Sequence, residues 1–184
     1  MEIEAALNLL KENLKNQNLI KHSLAVEIAM ADLAEYFRED KEKWGLCGLL
    51  HDIDYEKTKD DPNLHSKMGA EMLKSLGFDK NICQAVLTHN EAHKKEPETK
   101  MAKALFCLDP LTGLIVAATL VLPSKKISDL KVENVLNRFG EKSFAMGANR
   151  DIIKKCNEFL GLSLEEFVKI VLEAMQKISN ELGL

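Results

Sequence analysis

Seven uncharged residues, Trp44-Gly45-Leu46-Cys47-Gly48-Leu49-Leu50, run without a break into His51, Asp52, Ile53 and Asp54. A helix built from that run is buried on most of its sides, so the imidazole and the carboxylate at its end enter the interior with it. Buried groups of this kind need partners, and the simplest partner that an adjacent His and Asp can share is a bound cation. The stretch therefore predicts a metal centre with helices packed around it.

The rest of the chain supplies those helices. Ile3, Ala6, Leu7 and Leu10 lie at helical spacing within 2–16, and Asn16-Gln17-Asn18 breaks the pattern. A second helix is predicted over about 19–38, with Val26, Ala29, Met30, Leu33 and Phe37 inward and His22 on the same stripe. A third, about 41–53, ends in the His-Asp pair, and the polar segment 54–62, closed by Pro62, reads as a loop. Over 63–77 the apolar residues Leu64, Met68, Met72 and Leu76 recur at every fourth position beside His65. Gly69, one turn after His65, would let another group come close. Gly77 reads as a C-terminal cap, and Asp79 opens a helix with Ile82, Val86 and His89 on one face. Residues 91–100 form a charged loop. In the apolar segment 101–122 that follows, Asp109 shares a face with Ala102, Leu105 and Val116, and Pro110 would kink the helix or leave Asp109 as an N-cap. Beyond Pro123, short helical patterns lie at about 131–139 and 149–159, and a final helix at about 163–182 opens on the capping pattern Ser163-Leu164-Glu165-Glu166. Nothing argues for a strand, a repeat or a linker. The expectation is one all-α domain over 1–184, with a core at about 18–122 and a helical extension at about 123–184.

A chain of 184 residues can bury about 70% of its unfolded surface, enough for a substantial core. The net charge of −4 is spread along the sequence, which gives no reason to expect nucleic acid or a membrane surface as partner. No apolar run approaches the roughly 18 residues of a membrane helix, residues 114–122 coming closest, and Met1-Glu2-Ile3-Glu4 lacks the character of a signal peptide. A cytoplasmic protein is expected, in keeping with Cys47, Cys83, Cys107 and Cys156, widely spaced and read as reduced core thiols.

His22, the His51-Asp52 pair, His65, His89 and Asp109 thus come from five successive predicted helices, each on or beside an apolar stripe. Singly, each histidine reads as a satisfied core residue, and Asp109 has its own plain reading as the N-cap of a helix starting at Pro110. Jointly they favour a cation, because burying four imidazoles and two carboxylates without one demands a complete hydrogen-bond network in which each failure costs roughly 1–3 kcal/mol.

The order His22, His51-Asp52, Asp109 resembles the defining motif of the HD-domain metal-dependent phosphohydrolases, an all-α family. His65 in Leu-His-Ser-Lys-Met-Gly-Ala and His89 in Leu-Thr-His-Asn resemble the extended, two-metal version of that motif, found in the symmetrical diadenosine-tetraphosphate hydrolases. The resemblance covers about residues 18–120. The family's usual His-Asp-Ile-Gly tetrad is kept at His51, Asp52 and Ile53 and departs at Asp54, and Tyr55 stands where some relatives have a catalytic lysine. The resemblance implies that His22, His51 and Asp109 serve one metal, His65 and His89 a second, and Asp52 both. One or two divalent ions of iron, manganese, zinc, cobalt or nickel suit imidazole and carboxylate donors. With Asp52 as the catalytic bridge, they would acidify a water for attack on phosphorus.

The implied activity is hydrolysis of a phosphate ester or anhydride in a nucleotide or another small phosphorylated metabolite. Two alternatives stand beside it: a di-iron oxygenase using the same six ligands, as in a few proteins of this fold, and a catalytically silent binding module. Among polar residues near the motif, Asn90 is a candidate to touch substrate, and His93 reads as a loop residue or a proton donor. Lys125, Lys126, Arg138, Lys142 and Arg150 are candidates for a phosphate clamp. Lys142 and Arg150 stand out because they flank Ser143-Phe144-Ala145-Met146-Gly147-Ala148-Asn149, an uncharged stretch able to fold over the pocket.

Overall fold

The computed structural model describes residues 2–184, and no strand occurs among them. The α-helices among the described residues are α1 (Ile3–Asn13), α2 (Gln17–Phe37), α3 (Lys41–Leu50), α4 (Tyr55–Thr58), α5 (Lys67–Ser75) and α6 (Lys80–His89). They continue with α7 (Lys100–Leu120), α8 (Val132–Gly140), α9 (Arg150–Lys154), α10 (Cys156–Leu160), α11 (Leu164–Lys177) and α12 (Ser179–Leu182). Short 3-10 turns cover Glu91–His93 and Ile127–Asp129.

Local chemistry sets several of the helix starts. The side chains of Asn16, Asp40, Asp79 and Thr99 accept backbone N–H groups of Asn18, Lys43, Asn81 and Ala102 at the starts of α2, α3, α6 and α7. Ser163 and Glu166 close a reciprocal capping box on α11. At the other end of α2, Arg38 takes a left-handed conformation with φ 59°.

Two long helices frame the molecule. On α2, Val26, Ala29, Met30 and Leu33 are buried as their spacing predicts. α3 lies against it so closely that a Cβ on Gly48 would stand 2.7 Å from the Val26 carbonyl oxygen and 2.9 Å from Glu27 Cα. Only glycine allows that approach, and it brings the start of α2 beside the end of α3. The other frame helix, α7, continues through Pro110. Asp109 is therefore a mid-helix residue and not an N-cap. The proline leaves the Phe106 carbonyl without its usual helical donor. By length and composition α7 could cross a membrane, contrary to the sequence expectation, but 67% of its most apolar stretch is buried inside this fold, as in a core helix.

Several boundaries differ from expectation: α4 lies within the expected loop 54–62, and the helical pattern at 149–159 is divided at Lys155 into α9 and α10. α3 ends at Leu50, and 51–54 form a turn, so Asp52 and Asp54 lie beyond the helix. α5 begins only at Lys67, leaving His65 in the turn before it, with Ser66 at φ 69°. The expected final helix is divided at Ile178 into α11 and α12. The inner face of α5 also differs. Gly69, Ala70 and Leu73 are buried, while Leu64, Met68 and Leu76 are exposed and Met72 is partly buried. A strict four-residue repeat turns about 40° further round the helix at each step, so it cannot hold one face over three steps.

The C-terminal helices pack back onto this frame. Phe167, Val171 and Met175 of α11 are buried, Lys177 reaches Asp32 of α2 at 2.6 Å, and Gln176 Nε2 donates to the Ile127 and Leu130 carbonyls. α9 and α10 lie along α7, which carries the segment 143–149 to the mouth of the cavity described next.

Candidate metal centre

Six side chains separated by up to 87 positions converge on one point. His22 comes from the first turns of α2, His51 from the end of α3, Asp52 from the turn after it, His65 from the turn before α5, His89 from the end of α6, and Asp109 from the middle of α7. Asp52 lies at the centre. Its Oδ2 stands 3.4 Å from His51 Nε2 and 3.8 Å from His22 Nε2, and its Oδ1 stands 3.3 Å from both His65 Nε2 and His89 Nε2. Asp109 Oδ1 closes the first side, 2.9 Å from His22 Nε2 and 3.5 Å from His51 Nε2. Donor atoms of His22, His51 and Asp109 lie within 4.8 Å of one another, as do those of His51, Asp52 and His89.

Every imidazole is oriented from behind. His51 Nδ1 faces the Gly48 carbonyl at 2.8 Å, and His89 Nδ1 the Val86 carbonyl at 2.6 Å. Thr112 Oγ1 gives its proton to the Asp109 carbonyl at 2.9 Å and so accepts from His22 Nδ1 at 3.3 Å. His65 Nδ1 meets Asp54 Oδ1 at 3.0 Å. With Nδ1 protonated in each case, the four Nε2 lone pairs point inward.

The electrostatics fit a cation. His51 Nε2 is fully buried and makes no hydrogen bond, although carboxylate oxygens face it on two sides. Burial alone would lower its pKa, but Asp52 and Asp109 outweigh burial and raise it to about 9. His65 shows the same balance, with burial opposed by Asp52 and Asp54, and is also raised to about 9. Burial would raise the carboxylates in turn, yet the surrounding imidazoles hold Asp52 and Asp109 well below the usual range. Four imidazole nitrogens around two ionised carboxylates suit a divalent transition metal, whose charge would occupy the place those protons take.

A cavity of about 500 Å³ opens from this cluster. Leu19, Phe106, Pro110 and Ile152 line its apolar side, and Ala145, Gly147, Ala148 and Asn149 show that the uncharged stretch folds over it. The flanking basic residues do not enter. Lys142 is exposed and lies outside the lining, in keeping with the strong hydration of a lysine head group. Arg150 is turned inward to its own loop, donating to the carbonyls of Phe144, Ala145 and Ala148. Among the other candidates, Lys125 and Lys126 are exposed, and Arg138 pairs with Glu141 at 2.8 Å. Asn90 does line the cavity, but its amide nitrogen donates to the Pro62 and His65 carbonyls and its oxygen accepts from Ala92 N–H. His93 donates from Nε2 to the His65 carbonyl at 2.7 Å, which makes it a support of the turn and not a free loop residue.

Sequence reasoning missed Thr112 and the part taken by Asp54. Asp54 is fully buried and accepts the Gly69 N–H at 2.8 Å as well as facing His65. Gly69 was the available clue, since the group it admits is this carboxylate. The cysteines are all free, with Cys47, Cys107 and Cys156 buried and Cys83 partly exposed.

Residues 19–114 match the family model of the HD domain, a span that holds all six converging side chains. An uncharacterized protein of Methanocaldococcus jannaschii is 30% identical over 181 residues, which cover 94% of each chain. Ribonuclease Y of Lawsonia intracellularis is 30% identical over 139 residues, 74% of this chain and 26% of that protein. Ribonuclease Y of Desulforudis audaxviator is 29% identical over 173 residues, 90% of this chain and 32% of that protein. The chain thus spans less than a third of these two ribonucleases. No significant match to a solved structure was found.

Proposed function

The chain belongs to the HD-domain family, whose members are typically metal-dependent phosphohydrolases, and we propose that it is itself a metal-dependent hydrolase of a small phosphorylated substrate. The observation that carries this reading is the split of one carboxylate: Asp52 turns Oδ2 to His22 and His51 and Oδ1 to His65 and His89. In this reading His22, His51 and Asp109 hold one divalent ion, His65 and His89 a second, and Asp52 is common to both. When bound, such ions acidify a water and neutralise phosphate oxygens.

The protein's own residues supply the rest. The four Nδ1 partners hold the imidazoles in place before any ion arrives, which is the preorganisation a catalytic site requires. Among the described residues no lysine or arginine lines the cavity, whose charged side chains besides the histidines are Asp52, Glu91 and Asp109. Substrate charge must then be met at the cation cluster itself, while Leu19, Phe106 and Pro110 offer an apolar surface for the organic part.

The names of the ribonuclease relatives support a second substrate, RNA, against the expectation drawn from net charge. A groove that tracks a polynucleotide uses basic side chains along the strand, and this cavity presents none. We therefore favour the smaller substrate.

The test is metal analysis of the purified protein, then anaerobic phosphate release from monoesters, nucleotides and dinucleotides with Mn²⁺, Co²⁺, Zn²⁺, Ni²⁺ and Fe²⁺, alongside a short oligoribonucleotide. Release from at least one small substrate is expected. Cleavage of the oligoribonucleotide alone would overturn the substrate class. Oxygen consumption with a mixed-valence iron spectrum would replace hydrolase by oxygenase, and a protein that retains no metal would overturn the reading.

A further inference from the structure

Three of the four inward-facing histidines are oriented by neutral acceptors. Those of His51 and His89 are carbonyls three residues earlier in their own helices, and that of His22 is the Thr112 hydroxyl. His65 is different. It lies in the turn before α5, and the atom at its Nδ1 is a carboxylate oxygen, Asp54 Oδ1, at 3.0 Å. The second oxygen of Asp54 takes the Gly69 N–H at 2.8 Å. A Cβ on Gly69 would stand 3.2 Å from the Asp54 carboxyl carbon, so a larger residue there would crowd the carboxylate. The His65 backbone is pinned separately, its carbonyl accepting from Asn90 Nδ2 at 3.2 Å and from His93 Nε2 at 2.7 Å.

We infer that Asp54 is a positioning residue that fixes His65 as the Nδ1–H tautomer and aims its Nε2 lone pair at the cation site beside Asp52. An ionised carboxylate can only accept, so the proton between Asp54 and His65 belongs to the imidazole, and Nε2 is left as the donor to a metal. A charged acceptor also makes that nitrogen a stronger ligand than a carbonyl would. In this chain a carboxylate stands where the family's tetrad usually ends in glycine, and it adds a third negative charge to those of Asp52 and Asp109. The His65 and His89 side of the cluster therefore depends on Asp54 in a way that the His22 and His51 side does not. This inference rests on the reading of the cluster as a metal centre.

Asp54→Asn tests it with little change of shape. The amide has one acceptor oxygen where two N–H groups arrive, so either the Gly69 or the His65 bond is lost. In a Co²⁺ titration of the full chain followed by optical absorption, the first ion is expected to bind as in wild type and the second about 10 to 100-fold more weakly. Equal weakening of both, or wild-type binding of both, overturns the inference. A purely structural role would lower the melting temperature of the metal-free variant without separating the two affinities. A second measurement needs no variant: ¹⁵N NMR of the Zn²⁺-loaded wild type should show His65 coordinated through Nε2 and protonated at Nδ1. The opposite assignment overturns the inference even if Asp54→Asn does not fold. Wild-type protein that takes up no Co²⁺ sinks the metal reading and this one together, whereas split Co²⁺ affinities without phosphate release sink only the hydrolase.

Discussion

The two sides of the cluster are built by different means. His22, His51 and Asp109 stand on or at the end of long, packed helices, and the helix itself supplies the Gly48 carbonyl behind His51. On the other side, His89 closes α6 with the Val86 carbonyl behind it, but His65 stands in a turn, where no regular backbone partner is available, and Asp54, Asn90 and His93 have to hold that turn from elsewhere in the sequence. A histidine at a helix end, His51 or His89, finds its rear partner in its own helix, whereas His22 and the turn-borne His65 must recruit one from elsewhere. The helix-borne side is thus sensitive to how helices pack, and the turn-borne side to single polar contacts.

The residue common to both sides should show the largest effect. Asp52→Ala is expected to lower kcat/KM for a hydrolysed substrate by about 10³-fold, equivalent to about 4 kcal/mol, and to weaken both cations. Unequal loss of the two metals, read by dialysis, would show that Asp52 is not shared. Gly48→Ala strikes the helix-borne side alone. Its Cβ meets the Val26 carbonyl at 2.7 Å, so α2 and α3 must separate, at a cost of about 1–3 kcal/mol in urea unfolding, and the first cation should weaken more than the second. Unchanged stability would show that the helix contact is softer than its geometry implies.

The two sides should also share a pH dependence. In the metal-free chain His51 and His65 are raised from 6.5 to about 9, a contribution to stability that is complete below about pH 6.5 and lost as pH rises through 9. Asp52 and Asp109 are depressed from 3.8, so their contribution is present above about pH 4 and lost as pH falls below it. The metal-free melting temperature should therefore peak between those limits. Metal binding should release protons at neutral pH and tighten up to about pH 9, measurable by calorimetry in buffers of different ionisation enthalpy. Proton-neutral binding would mean that neither His51 nor His65 gives up its proton to a metal. The smallest effect on the metals belongs to Arg150→Ala, which frees the carbonyls of Phe144, Ala145 and Ala148. The expected result is a KM several-fold higher with both metal affinities unchanged.

Much of this was legible in the residue pattern. The stripes of α2 and α7, the caps at Asp79 and Ser163, and the run of polar groups from His22 to Asp109 are all local features. Less was legible where partners are distant or where two faces compete. Leu64, Met68 and Leu76 make the more conspicuous apolar row, yet it is exposed, and α5 buries Gly69, Ala70 and Leu73 instead. Arg150 and Lys142 read alike as cations beside a loop, yet one caps three carbonyls and the other stays in water. Asp54 read as a neutral departure from a motif because its partners, His65 and Gly69, lie 11 and 15 residues on.

By itself the sequence determined that helices would form, where several of them start, and that imidazoles and carboxylates would enter their interior, since propensity, capping and periodicity act over a few residues. Tertiary structure alone decided which oxygen of Asp52 faces which histidine, which proton each imidazole keeps, and which cations reach the cavity. Those outcomes depend on distances of a few ångströms between groups tens of residues apart, which only packing can set.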